Sequence, residues 1–175
     1  MAGTARSQST DPFSSNRFHI VDTEGYLNLA TPAAGFNSVS LPTMNVEMIE
    51  YNEGLNLYAK KYPGRPTFDD VTMTKGVVKN DSAFAAWCRA TAEGQPYRTN
   101  IVIRHFHRDD VAGQIDYSTA RPYREIKLIH AWPISMKPGS DFDSLSSEIS
   151  IEELTVTFEY FRIVLNGQEV QATVL

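Results

Sequence analysis

The chain has 175 residues, one cysteine, and 16 basic against 21 acidic residues, for a formal net charge of −5. At roughly 150 residues per domain this length suggests one domain, and a chain of this size buries about 70% of its unfolded surface, enough to fold without staples. A single Cys88 excludes an internal disulfide and a cysteine-based zinc site, scattered basic residues argue against coating nucleic acid, and the longest apolar run, Ala83 to Cys88, falls far short of the ~20 residues of a membrane helix.

Residues 1–14 have no apolar h-region. They read as a small, polar, flexible arm ahead of one domain over residues 15–175. Beyond the arm, short alternating segments separated by Pro, Gly, Asn and Asp predict a mainly β chain, an antiparallel sandwich or barrel. Arg17–Asp22 and Gly35–Ser40 read as the first two strands. Thr43–Tyr51 alternates, with Met44, Val46 and Met48 on one face and Asn45, Glu47, Ile49 and Tyr51 on the other. Asn52-Glu53-Gly54 reads as a turn and Leu55–Lys61 as the returning strand, ended by Pro63-Gly64. Phe68–Val78 places Val71, Met73 and Lys75 together, opposite Thr72 and Thr74.

One segment departs from period 2. Phe84, Trp87, Cys88 and Thr91 share a helical face, which predicts a helix over about residues 81–93. Asn80-Asp81-Ser82 offers capping oxygens at its start, and Gly94 a stop. Cys88 reads as a small core residue, since nothing near it would lower its pKa. Strands resume at Asn100–His107, Tyr123–Trp132 and Ser147–Val164. In the last, apolar residues move from odd to even positions, which predicts a bulge or bend near Glu152-Glu153. Asn166-Gly167 predicts a short final hairpin.

Candidate chemistry is sparse. His105 and His107 point the same way on a strand, and with Asp109 or Asp110 they could hold a metal; a small metal-dependent β-barrel enzyme is therefore an alternative reading. The bland reading is a charged strand end. Glu152-Glu153 and Asp69-Asp70 read as solvated carboxylates. No nucleophile elbow, phosphate-binding loop or zinc-protease pattern is present. The residues predict no catalytic centre and no cofactor.

Taken in order, the punctuated segments resemble the tail tube protein family of contractile phages and phage-derived injection systems. The matching residues are Glu50, Tyr51, Glu53 and Gly54; Lys61, Pro63 and Gly64; Lys75 and Gly76; Trp87; Ala131, Trp132 and Pro133; and Glu148 with Ile151, Glu152 and Leu154. His130 stands where that family usually has Asn.

The resemblance implies a non-enzymatic inner-tube subunit. Hexameric rings with a continuous inner β-barrel stack into a hollow tube inside a contractile sheath and are driven into a target envelope. It implies as partners further copies of the chain, a sheath protein, baseplate or tube-initiator and tube-terminating proteins, and a lumen cargo, with no specific nucleic-acid binding. It implies assembly in the bacterial cytoplasm into a released or membrane-anchored particle. A tube-initiator or baseplate paralogue and a type VI secretion tube protein are related alternatives. In this frame Met44, Val46, Met48, Glu50, Tyr51, Asn52, Glu53, Gly54 and Leu55 are expected at a subunit or ring interface. Gly54, Gly64 and Gly76 are expected to serve backbone turns, and Trp87 and Trp132 to anchor the core.

Overall fold

A computed structural model describes residues 15–27, 35–54, 57–106, 121–142, 144 and 147–170. The arm predicted over residues 1–14, Leu55, His107, Asp109 and Asp110 lie outside them. Among the described residues the chain forms ten strands and one helix: β1 (Phe18–Asp22), β2 (Phe36–Val39), β3 (Met44–Tyr51), β4 (Lys60–Phe68), β5 (Val71–Gly76), α1 (Ala83–Ala92), β6 (Thr99–His105), β7 (Arg124–Lys137), β8 (Ile151–Thr157), β9 (Tyr160–Leu165) and β10 (Gln168–Glu169). Every strand pairing is antiparallel. The mainly β expectation with one helix holds.

One long hairpin organises the main sheet. β7 is 14 residues long. Its first half pairs with β9, from Arg124↔Leu165 to Ile129↔Tyr160. Its second half pairs with β8, from Trp132↔Thr157 to Lys137↔Glu153. The two halves meet at a bend. On β7 the register slips between Thr99/Ala131 and Ile101/Leu128, so Ile129 and His130 together oppose Asn100, and His130 takes φ +53°. Such a bulge turns the strand and raises its twist. Opposite it, Phe158 and Glu159 interrupt the returning strand. The first half carries β6 and β1, the second β5 and β2, giving the order β1-β6-β7-β8-β5-β2. Bent in this way, one sheet folds over a shared interior.

That interior is filled by period-2 positions. Ile20, Val71, Met73, Ile101, Leu128, Ala131, Leu154 and Val156 are fully buried. Helix α1 covers it with Phe84 and Trp87. Trp87 stacks on Tyr26 at 5.9 Å and donates from Nε1 to the Tyr97 carbonyl at 2.6 Å. The helix ends as Gly94 predicts. Gly94 takes φ +70°, and the N–H groups of Gly94 and Gln95 close onto the carbonyls of Thr91 (3.3 Å) and Ala90 (3.0 Å). This satisfies carbonyls that the helix itself leaves open. At the start, the Asp81 carboxylate accepts from the Ala83 N–H, while Ser82 makes no side-chain cap. The predicted Asn166-Gly167 hairpin joins β9 to β10.

Several boundaries differ from the sequence reading. The returning strand of the β3 hairpin is Lys60–Phe68, so Pro63-Gly64 lies inside it rather than at its end. β4 has β3 as its one strand neighbour among the described residues. A proline there leaves no second ladder short of a donor. The Phe68–Val78 strand is interrupted at Asp69-Asp70, and β7 continues past Trp132 to Lys137. The predicted bend at Glu152-Glu153 lies instead at Phe158-Glu159. β8 begins at Ile151, leaving the 78% exposed Ile149 outside the strand, so the face does not switch within β8. Glu152 is buried, not solvated, because it pairs with Lys75.

Candidate functional site

β3 and β4 form a two-stranded ribbon separate from the main sheet. All eight residues of β3 are exposed. An isolated two-stranded ribbon is marginal in water at best, and apolar surface presented on one usually marks a contact site. Here Met44, Val46, Met48, Ile49, Tyr51 and Tyr62 are each at least half exposed. At the tip, Leu57 and Tyr58 are nearly free of the rest of the chain. With about 3.3 Å per residue, β3 alone reaches about 26 Å.

Cross-strand pairing sorts this surface. Met44 faces Phe68, Val46 faces Pro66, Met48 faces Pro63 and Glu50 faces Lys61. One face is thus an apolar stripe closed by a charged pair, Lys61 Nζ–Glu50 Oε1 at 3.7 Å. Nearer the tip, Lys60 bonds both oxygens of Glu53 at 2.9 Å. At the root, the Phe68 ring meets Phe158 at 5.9 Å and Phe161 at 5.6 Å, which ties the ribbon to the core. Midway, the register slips between Val46/Pro66 and Met48/Pro63, so Gly64 and Arg65 oppose Glu47. A Cβ on Gly64 would meet the Glu47 Cβ at 2.9 Å and its carbonyl oxygen at 3.1 Å. Close backbone approach, not a turn, requires glycine there. Gly54 lies in the turn at the ribbon tip and Gly76 ends β5; both have open space and no positive φ, so neither position requires glycine for steric reasons.

The other motif residues sit at the bend or against it. The His130 N–H donates to Asn100 Oδ1 at 3.0 Å, and its Nδ1 lies 2.8 Å from Glu159 Oε2. Arg98 donates to Glu159 Oε1 at 2.6 Å. The His130 ring and the Arg98 guanidinium hold the Glu159 carboxyl below its ordinary value. Ala131 and Pro133 are buried; Trp132 is partly buried, with its ring edge-on to Tyr97 at 6.1 Å. Trp87 is a core anchor as expected.

A cluster that the sequence reading missed pins the helix to the sheet. Lys75 Nζ lies 2.7 Å from Asp81 Oδ2, 3.1 Å from Glu152 Oε1 and 4.1 Å from the centre of the Phe84 ring. Its only sequence signal is a lysine in register with Val71 and Met73.

A second feature, open among the described residues, lies beside β2. A groove of about 420 Å³ runs between β2 and the β1-β6-β7 face, lined by Phe18, Val39, Leu41, Ile103, Ile126 and Arg124, among others. Arg124 Nε is buried there with no hydrogen-bond partner among the described residues. His105 also lines the groove. Among the described residues no three His, Cys, Asp or Glu side chains converge as a metal site would need. Burial pushes the Cys88 thiol up, away from nucleophilic character. Among the described residues no helix is long and apolar enough to cross a membrane.

Residues 16–162 match the protein family described as T4-like virus tail tube protein gp19. No curated protein matches the chain. Among solved structures, the fold is similar to a chain of the sheath–tube complex of the extracellular contractile injection system PVC in its extended state. There the TM-score is 0.74 at 20% identity, over 94% of this chain and 99% of that one. It is similar also to a chain of the anti-feeding prophage cap, described as a tube-terminating cap, with a TM-score of 0.70 at 23% identity over 94% and 99% of the two chains. A chain of the anti-feeding prophage baseplate gives 0.68 at 17% identity over 89% and 97%. At these identities the likenesses establish the fold.

Proposed function

The chain belongs to the T4-like virus tail tube protein family, and from that membership we infer that it is the inner-tube subunit of a contractile tail or injection particle. The observation that carries the reading is the family match across residues 16–162. Copies close into hexameric rings, and rings stack into a hollow tube. The work is mechanical: a stiff conduit is formed, enclosed by a sheath and capped at its ends, and no bond is made or broken by the subunit itself.

The exposed ribbon supports this reading. A ribbon with apolar residues on both faces and, among the described residues, no strand beyond either edge gains most by meeting another subunit. We assign Met44, Val46, Met48, Glu50, Tyr51, Asn52, Glu53, Gly54 and Leu55 to contacts between subunits or rings. The edges of β1 and β2, which also end the main sheet among the described residues, suit closure of neighbouring sheets around a lumen. Residues 15–175 serve as one tube domain. The sheath and the initiating and terminating proteins are its partners, in a particle assembled in the cytoplasm.

Negative-stain electron microscopy of the purified protein across a concentration series tests the reading. Rings or stacked tubes are expected. Rings that never stack would assign the chain to the initiating ring of the same machine. Single particles at every concentration would overturn the proposal.

A further inference from the structure

The ribbon and the groove are complementary, and we propose that the β3–β4 ribbon of one copy docks its Met44–Glu50 face into the Phe18/Val39/Ile126 groove of the next copy. This rests on the tube-subunit reading and adds to it the receiving surface. Among the described residues, nothing of the chain itself fills the groove or covers the ribbon face. No residue of β3 or β4 lines the groove, although Leu41, two residues after the end of β2, does. The ribbon therefore departs from beside its own groove without entering it, and its apolar face stays at least half exposed along Met44, Val46 and Met48.

Chemistry selects the occupant. The groove wall is mainly apolar, with Phe18, Val39 and Leu41, and also carries polar side chains such as Asn37 and His105; Arg124 Nε is buried in it with no hydrogen-bond partner among the described residues. A fitting occupant is largely apolar and brings an acceptor to Arg124 Nε, since a buried donor left unpaired is costly. The ribbon face has that composition: three apolar β3 side chains in line, then the Glu50 carboxylate. Among the described residues, Glu50 pairs with an exposed lysine, Lys61, at 3.7 Å. Carboxylate to guanidinium is the stronger, geometrically defined pairing. Each copy carries one ribbon and one groove, so the contact is head to tail. Repeated, such a contact closes a ring or extends a filament.

Disulfide trapping tests the docking in a Cys88→Ser background. Val39→Cys marks the groove and Met48→Cys the ribbon, and a disulfide forms only when the two approach within about 7 Å between Cα atoms. Oxidation of the double variant should give a ladder of covalent oligomers, while equal mixtures of the single variants give only a dimer. Arg124→Glu should slow ladder formation about tenfold, and adding Glu50→Arg should restore it. Tubes that form without any ladder would overturn the docking and leave the tube reading standing. A ladder that appears only after deletion of residues 1–14 would assign the groove to that segment and would also overturn the proposal. Failure of the unmodified chain to assemble would overturn the tube reading itself.

Discussion

Lys75 shows how one buried charge holds two elements. Its ammonium is sealed between two carboxylates, with side-chain exposure of only 4%. Burying an ion costs several kcal/mol, and the cost is offset only when partners and geometry are complete. Here they are: β8 supplies Glu152 directly across the strand, and the segment before α1 supplies Asp81. Replacing Lys75 with Met strands the buried Glu152 carboxylate and the largely covered Asp81 carboxylate, and a loss of about 3–5 kcal/mol in urea unfolding is expected. The acid limb is set partly by Asp81. Burial raises its pKa, but hydrogen bonds from Lys75 and from the Ala83 N–H outweigh this and hold it below the ordinary 3.8. A carboxyl depressed by folding stabilises fully above its unfolded pKa and loses that contribution as pH falls through the folded value. Asp81→Asn should therefore lower stability at neutral pH and flatten the decline below about pH 4, measured as urea midpoints across pH.

Elements here succeed or fail at their irregular positions. Gly94 closes α1 in a left-handed conformation, and Gly94→Ala should cost about 1 kcal/mol in thermal or urea unfolding. His130 occupies the same region of backbone space without being glycine. Asn adopts it readily and β-branched residues do not. His130→Asn should thus be nearly neutral in stability, whereas His130→Val should destabilise the bend between the two halves of the sheet. Gly64 separates folding from assembly. A side chain there collides with Glu47 inside the ribbon, away from the buried core. Gly64→Val should leave the melting temperature within a few degrees of the unmodified chain yet abolish rings or tubes in electron micrographs.

For the whole molecule, folding and assembly draw on different surfaces. The core is complete without the ribbon: its buried members come from β1, β5–β8, α1 and the adjoining loops. Replacing the outer part of the ribbon, residues 46–66, with a short Gly-Ser turn should give a folded monomer with native near-ultraviolet circular dichroism. Sedimentation velocity should show no larger species at concentrations where the full chain assembles. Loss of folding in that variant would mean that the ribbon belongs to the core after all.

Much of this was legible in the chain because its signals are local. Alternation in Met44–Tyr51 and Val71–Lys75, the helical spacing of Phe84 and Trp87, and the Gly94 and Asn166-Gly167 punctuation each depend on residues within one element. The motif order, from Glu50-Tyr51 to Ala131-Trp132-Pro133, carried the family. The tertiary structure decided what depends on distant partners. Pro63-Gly64 reads as a strand end until β4 is seen to pair on one side alone among the described residues, and Glu152 reads as solvated until Lys75 lies across from it. Placing the bend at Phe158 required knowing that His130 opposes that region with an extra residue. The groove joins Phe18, Val39 and Ile126, far apart in sequence, and no local period records that they meet. Periodicity determines which face of a strand is apolar; only pairing determines whether that face is covered by its own chain or left for another.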